Sequence, residues 1–85
     1  MKHYASPSFW PCYAALPAAI RDLADKNFGL LKADARHPSL RLKKVGDYWS
    51  ARVGISHRAV GTVIKDGIVW FWIGSHADYD KLIGG

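Results

Sequence analysis

The sequence predicts an α+β fold of two layers, in which an N-terminal helical hairpin packs on one face of a four-stranded antiparallel sheet. Two observations carry this prediction. Apolar residues recur at helical spacing up to about residue 35, and they alternate with polar residues after Pro38. A chain of 85 residues has room for one core, so we expect a single domain spanning residues 1–85.

Two start signals predict the helical hairpin. Ser6 is a good N-cap and Pro7 is tolerated in the first helical turn, so a short helix is expected through Phe9 and Tyr13. Lys2–Ser6, before it, is either a short strand or a lead-in. A second helix is expected from Pro17, and its core-facing residues are Ala19, Ile20, Leu23, Ala24, Leu30 and Leu31. The opposite face carries Arg21, Asp22, Asp25 and Lys26.

This second helix should end near residues 33–35, because His37 precedes Pro38 and is therefore pushed out of the α region. The strands are expected to follow. Leu40 and Leu42 alternate with Arg41 and Lys43, which predicts a first strand with both cations on one face.

The remaining strands are separated by turn signals. A Gly46-Asp47 turn precedes a strand in which Trp49, Ala51 and Val53 alternate with Tyr48, Ser50 and Arg52. A strand is expected over residues 58–64, and Asp66-Gly67 predicts a hairpin turn after it. Residues 68–73 are apolar on both faces, so this last strand should be central or covered on both sides.

The positive charge is concentrated in one third of the chain. The segment from Lys32 to Arg58 holds seven Lys or Arg and two Asp, and therefore accounts for the whole net charge of +5. Such a stretch favours a polyanionic partner, usually nucleic acid, although a solvated surface has the same composition. The strand alternation predicts that these cations lie on the face of the sheet that the helices leave open.

Other features restrict the class of protein. Cys12 is the sole cysteine, which favours a reducing compartment, and no apolar run approaches the roughly 20 residues of a membrane span. The N-terminal residues lack a signal-peptide pattern, so we expect a cytoplasmic protein without a membrane. The four histidines have neither helical i, i+4 histidine partners nor further cysteines, so no metal or other cofactor is expected.

Four segments resemble the RelE/ParE toxin superfamily. They are residues 36–45 (RHPSLRLKKV), 48–54 (YWSARVG), 57–60 (HRAV) and 73–79 (IGSHADY). Each motif is short, but their order and spacing match the superfamily over essentially the whole chain. His57 departs from it, because tyrosine is commoner there. The resemblance implies the RelE-like fold, and it implies the toxin component of a type II toxin–antitoxin system, with a cognate antitoxin as partner.

The superfamily implies two activities. RelE-like members enter the ribosome and cleave mRNA without a metal, and this inhibits translation. ParE-like members bind and poison DNA gyrase. We favour an mRNA endonuclease, with ribosome and mRNA as partners. The sequence contains no glutamate that could act as a base, which keeps the gyrase poison open. A catalytically decayed toxin that only binds its antitoxin is a further alternative.

The resemblance also implies site residues. Arg52 matches the phosphate-stabilising arginine and Arg58 a supporting arginine, while His76 and Tyr79 lie in the segment that carries an acid or base in several nucleases. Their structural alternatives are a surface or antitoxin-contacting arginine, a histidine that caps the last helix, and a tyrosine that closes the core. The residues expected to contact the nucleic-acid backbone are Arg41, Lys43 and Lys44, of which only one lysine need face the substrate.

The aromatic residues of the last strand allow two interpretations. By simple alternation Trp70 and Trp72 share one face of the strand, and Phe71 lies on the other. One set must pack beneath the helices. The other set either joins the core or offers a platform on which a base can stack.

Overall fold

The computed structural model describes residues 2–84. The strands are β1 (Lys2–Ala5), β2 (Lys43–Val45), β3 (Tyr48–Val53), β4 (His57–Ile64) and β5 (Gly67–Ser75). The helices are α1 (Phe9–Ala14), α2 (Ala18–Ala33), a 3-10 turn (Pro38–Leu40) and α3 (His76–Gly84). The α+β class is confirmed, and α2 ends where the His37-Pro38 pair predicted.

The sheet corrects the expected four antiparallel strands. It is mixed and has five strands in the order β1-β5-β4-β3-β2, because residues 2–5 form a strand that pairs parallel to β5. The amide of Lys2 donates to the carbonyl of Asp66 (3.0 Å), which sets the start of this pairing. β1 covers an edge of β5 that would otherwise present unpaired backbone groups. As predicted, β5 is an inner strand.

The expected helical hairpin is also only partly formed. α1 has 6 residues whereas α2 has 16, so the two helices are too unequal to pack along each other's length. α1 stops at Ala14 because Leu16 precedes Pro17 and cannot remain helical. α1 packs on β5, and α2 packs on β3 and the 3-10 turn. The Tyr13 hydroxyl donates to Asp25 (2.8 Å) and ties the two helices together.

The core lies between these helices and one face of the sheet. Its buried members are Leu16, Leu31, Leu40, Ala51, Val53, Ala59, Ile68, Trp70 and Ile73. Ala51, Ala59 and Ile73 occupy one cross-strand row of β3, β4 and β5, so their side chains share the helix-covered face. The predicted inward alternation of Ala51 and Val53 in β3 is confirmed.

The segment before β2 is not the predicted strand. Pro38–Leu40 forms a 3-10 turn in which His37 Nδ1 accepts a hydrogen bond from the amide of Ser39 (3.2 Å). Arg41 ends this turn at a φ of 43°, in the left-handed region, and only Lys43–Val45 is extended. The alternation of Leu40 and Arg41 is therefore not a strand pattern: Leu40 reaches the core from a turn, and Arg41 does not share a strand with Lys43.

An irregularity in β5 changes the expected faces of its aromatic residues. Val60 pairs with Trp72 and Gly61 pairs with Trp70, so Phe71 is an extra residue opposite this step of β4. Trp70 is buried in the core, whereas Trp72 lies against Gly74 on the other face. The prediction that Trp70 and Trp72 share a face is therefore wrong, because the bulge interrupts the alternation.

Candidate nucleic-acid interface

The face of the sheet that α1 and α2 leave uncovered carries cations from three strands; we call it the basic face. Directly paired residues point to the same side of a sheet. Arg58 pairs with both Arg52 and Gly74, and Lys43 pairs with Ser50. Lys43, Arg52 and Arg58 are therefore neighbours on this face.

Arg52 and Arg58 lie directly opposite each other in the β3–β4 ladder. Like charges in this position repel and destabilise a sheet. No carboxylate relieves the repulsion, because the salt bridges within residues 2–84 are Lys2–Asp66 and His76–Asp80. The paired arginines thus form a half-buried positive site that an anion would stabilise.

The Arg58 side chain is held in place from two directions. Its Nη1 donates to the hydroxyl of the fully buried Ser50 (3.2 Å), and its Cζ lies 5.3 Å from the centre of the Tyr79 ring. The Nε is buried without a hydrogen-bond partner, the only such side-chain atom in the described chain. An unpaired buried donor is costly, and it leaves this guanidinium with hydrogen-bonding capacity to spare.

Arg52 is fixed by hydrogen bonds at its side chain and at its backbone. Its Nε donates to the carbonyl of Gly54 (2.8 Å), which holds the guanidinium near the end of β3. Asn27 of α2, itself buried, donates from Nδ2 to the Arg52 carbonyl (3.2 Å). α2 therefore positions the strand that carries this arginine.

His76 begins α3, next to the start of β4. Its amide donates to the carbonyl of Ser56 (2.8 Å), and the hydroxyl of Ser75 caps the helix by accepting from the amide of Asp78 (3.2 Å). The capping role considered for His76 thus belongs to Ser75. The His76 side chain is half exposed, and its Nδ1 lies 3.2 Å from Asp80 Oδ2.

The contact with Asp80 determines what His76 can do chemically. A carboxylate only accepts, so it favours a proton on Nδ1, and a neutral ring with that proton has the free lone pair on Nε2. The His76 ring lies 5.7 Å from that of Tyr79, which in turn packs on Arg58. Side-chain contacts therefore link His76, Tyr79 and Arg58, and Arg52 is the backbone partner of Arg58 in the next strand.

The three residues predicted to contact the backbone separate in the structure. Lys43 lies on the basic face, opposite Ser50. Lys44 pairs with Trp49, whose ring packs against the core, so Lys44 lies on the other face. Arg41 and Arg52 line a groove beside α2, together with Lys26 and His37. Of the three residues, Lys43 alone therefore lies on the basic face, and Arg41 lies in the groove beside α2.

Sequence reasoning missed Ser50, Asp80 and Lys26. The i, i+4 spacing of His76 and Asp80 was a usable signal once α3 was recognised. Ser50 gave no signal, because only the β3–β4 register places its hydroxyl beside Arg58. Lys26 was assigned to the polar face of α2, and the path of residues 38–41 past that helix makes it part of the groove.

Two further features bear on the class of site. No helix in the described part of the chain has the length and apolarity that a membrane crossing requires. Over residues 2–84, no three His, Cys, Asp or Glu side chains are grouped as metal ligands.

No model of a known protein family matches the sequence, and no curated protein matches it. Solved structures do match. The RelB–RelE antitoxin–toxin complex from Methanococcus jannaschii gives a TM-score of 0.69 at 18% identity, covering 93% of this chain and 96% of that chain. A YoeB/ParE toxin from Agrobacterium tumefaciens gives 0.68 at 20% identity, covering 89% and 99%. A copper-bound mutant toxin from Helicobacter pylori gives 0.61 at 16% identity, covering 92% and 97%.

The structural neighbours of this chain are thus toxins of the RelE, YoeB and ParE type. The likeness extends over almost the full length of both chains in each pair. The chain therefore has a RelE-like fold.

Proposed function

We propose that this chain is the toxin of a type II toxin–antitoxin system and that it cleaves mRNA on the ribosome without a metal. The observation that carries the proposal is the Arg52–Arg58 pair on the basic face, which has no carboxylate partner in the described residues. Two guanidinium groups on one face of adjacent strands can donate to the non-bridging oxygens of a phosphate. The RelE-like fold supports the same conclusion.

RNA cleavage of this kind uses the 2′-hydroxyl of the substrate as the nucleophile. The 2′-oxygen bonds to phosphorus as the bond to the 5′-oxygen breaks, and negative charge builds on the phosphate in between. Arg52 and Arg58 would stabilise that charge, since both are held in position before the substrate binds. Preorganised donors are effective because they need no rearrangement during the reaction.

His76 is the side chain best suited to take the proton of the 2′-hydroxyl. Its Nδ1 faces Asp80, which favours the tautomer in which Nε2 is available as the base. The leaving 5′-oxygen needs a proton from a second group. Lys43, which is exposed on the basic face, can provide one, whereas Tyr79 is only 5% exposed.

An antitoxin is the partner that the proposal requires in the cell. Its toxin-binding segment would carry acidic residues, because the surface to be masked is a cluster of uncompensated cations. One of the structural neighbours is itself an antitoxin–toxin complex, which supports a partner of this kind.

The test is primer extension on a reporter mRNA in a translating extract, with antitoxin-free protein. Wild-type protein should cut within ribosome-bound codons. We expect Arg58→Lys to lower cleavage about 100-fold, because a lysine cannot reproduce the planar fork of the guanidinium, and His76→Ala to lower it about 100- to 1,000-fold. Lys44→Ala is the matched control and should cut normally, since Lys44 lies on the other face.

The outcomes separate the alternatives. If folded wild-type protein does not cleave, the nuclease proposal is wrong, and inhibition of DNA gyrase in a supercoiling assay would identify a ParE-like poison. Inactivity in both assays, with antitoxin binding retained, would identify a decayed toxin. Full cleavage by His76→Ala would keep the enzyme and transfer the base to another residue.

A further inference from the structure

The basic face carries three aromatic residues, and we call this set the aromatic shelf. They are Tyr48 of β3 and Phe71 and Trp72 of β5. The Tyr48 and Phe71 rings are 5.4 Å apart at an angle of 61°. The bulge in β5 creates the shelf, because in a regular strand Phe71 and Trp72 would point to opposite faces.

The shelf is not part of the core beneath the helices. Tyr48 is 41% exposed, and Phe71 and Trp72 are both partly exposed. None of the three belongs to the cluster of core residues or packs against it. Large aromatic side chains left at a surface in one group indicate a binding site.

The cations of the basic face lie in the cross-strand row of Trp72 and in the row beside it. Trp72 pairs with Val60, which pairs with Ser50, which pairs with Lys43, so one cross-strand row joins an aromatic ring to a lysine. The indole also lies over Gly74, the cross-strand partner of Arg58. Trp72 therefore lies in the same cross-strand row as Lys43 and in the row next to Arg52 and Arg58.

We infer that the aromatic shelf stacks an unpaired base of a single-stranded RNA whose phosphate backbone is held on the same face by Arg52 and Arg58. The inference deepens the proposed function and rests on it. Aromatic platforms beside a basic groove are how proteins hold single strands, and a duplex keeps its bases stacked inside and cannot use them. Charge complementarity selects the polyanion over an apolar peptide, which would leave the three cations unpaired.

The aromatic rings of the shelf contact the flat face of the base and not its hydrogen-bonding edge. The polar groups of its side chains are the Tyr48 hydroxyl and the Trp72 indole N–H, so hydrogen bonds that distinguish the bases are few. Every base has a π-face, so the shelf should tolerate all of them. The site would then favour unstacked nucleotides as a class and contribute little to sequence preference.

The experiment measures binding separately from cleavage. The probe is a fluorescent 2′-O-methyl oligouridine of about ten nucleotides, which cannot be cut at a 2′-hydroxyl and falls within the length that one such surface covers. Tyr48→Leu is the test variant, because an exposed ring can be removed with little effect on the fold. Phe28→Leu is the matched control: Phe28 is 42% exposed and lies on α2, on the opposite side of the sheet.

Tyr48→Leu should weaken binding about tenfold, and Phe28→Leu should leave the Kd unchanged. A probe of the same length whose sugars carry no bases should bind both proteins equally and more weakly than the intact probe binds wild type. An unchanged Kd in Tyr48→Leu, or an equal loss with the base-free probe, would overturn the inference.

The proposed function can fail independently. Stacking without cleavage in the translating extract would preserve the shelf and reject the nuclease. Cleavage with a Tyr48→Leu protein that binds the probe as wild type does would preserve the nuclease and reject the shelf. A protein segment that occupies the shelf would displace the probe from wild-type protein. If it displaces the probe equally from Tyr48→Leu and wild type, that segment binds outside the shelf.

Discussion

Arg58 is an example of a residue that two neutral contacts prepare for binding an anion. Its guanidinium is held by the Ser50 hydroxyl and the Tyr79 ring, and neither partner carries a charge at neutral pH. A surface arginine is ordinarily paired with a carboxylate or solvated. Because these partners are neutral, the positive charge of Arg58 remains available to an external anion. Ser50 and Tyr79 fix the orientation of the guanidinium.

His3 is a second residue whose contacts have a measurable consequence. The Trp70 indole N–H donates a hydrogen bond to His3 Nδ1 (3.2 Å), and only an unprotonated Nδ1 can accept it. Burial lowers the pKa of His3 from its ordinary 6.5. A lowered pKa in the folded state means that His3 contributes stability above pH 6.5 and loses it as the pH falls through the folded value.

We therefore expect wild-type protein to lose stability as the pH falls below 6.5, partly through protonation of His3. Urea unfolding at several pH values measures the loss. His3→Phe cannot titrate and keeps a ring between Phe28 and Trp70, so its stability should depend less on pH. Identical pH profiles for the two proteins would exclude His3 as a contributor.

At the scale of the elements, the β4–β5 pair depends on one glycine. A Cβ on Gly61 would lie 2.6 Å from Ile68 Cγ2 and 2.9 Å from the carbonyl oxygen of Val69. Gly61 pairs with Trp70 at the bulge, so the close approach of the two strands and the faces of the β5 aromatics depend on the absence of a side chain here.

Gly61→Ala should destabilise the protein by about 1–3 kcal/mol, because the added methyl overpacks the core face of the sheet. Gly29→Ala is the control: Gly29 lies in α2 with no atom within 4 Å of an added Cβ, so alanine should stabilise the helix by about 0.5–1 kcal/mol. Thermal or urea unfolding gives both values. A neutral Gly61→Ala would mean that the strands can separate without loss.

At the scale of the whole molecule, the net charge of +5 is useful only where the fold places it. Neighbouring lysines provide the comparison, since Lys43 faces the basic side and Lys44 the helix side. Removing a phosphate contact lowers the dependence of binding on salt by about one unit in the log–log slope.

The affinity for the single-stranded probe should thus become less salt-dependent in Lys43→Ala, by about one unit of slope, and stay unchanged in Lys44→Ala. Titrations at several salt concentrations measure both slopes. Equal slopes for the two variants would mean that the charge acts as a diffuse field and that the sheet face does not select the contact.

The amino-acid sequence by itself determined the class of fold, the end of α2, the turn at Gly46, the inward residues of β3 and the concentration of cations in one segment. These features follow from local periodicity, from proline and glycine, and from composition, which a single chain displays without its contacts. The four short segments that resemble RelE/ParE toxins likewise predicted the class of solved structures that this fold matches.

Only the tertiary structure decided the remaining features. β1 is part of the sheet because it pairs with the outer edge of β5. Arg41 lies outside the strand because residues 38–40 form a turn. Arg52 came opposite Arg58 through the β3–β4 register, and Phe71 joined Trp72 through a bulge. Register, edges and bulges arise from pairing between distant segments. Two strands of the same alternation can pair in several ways, and only long-range packing selects one of them.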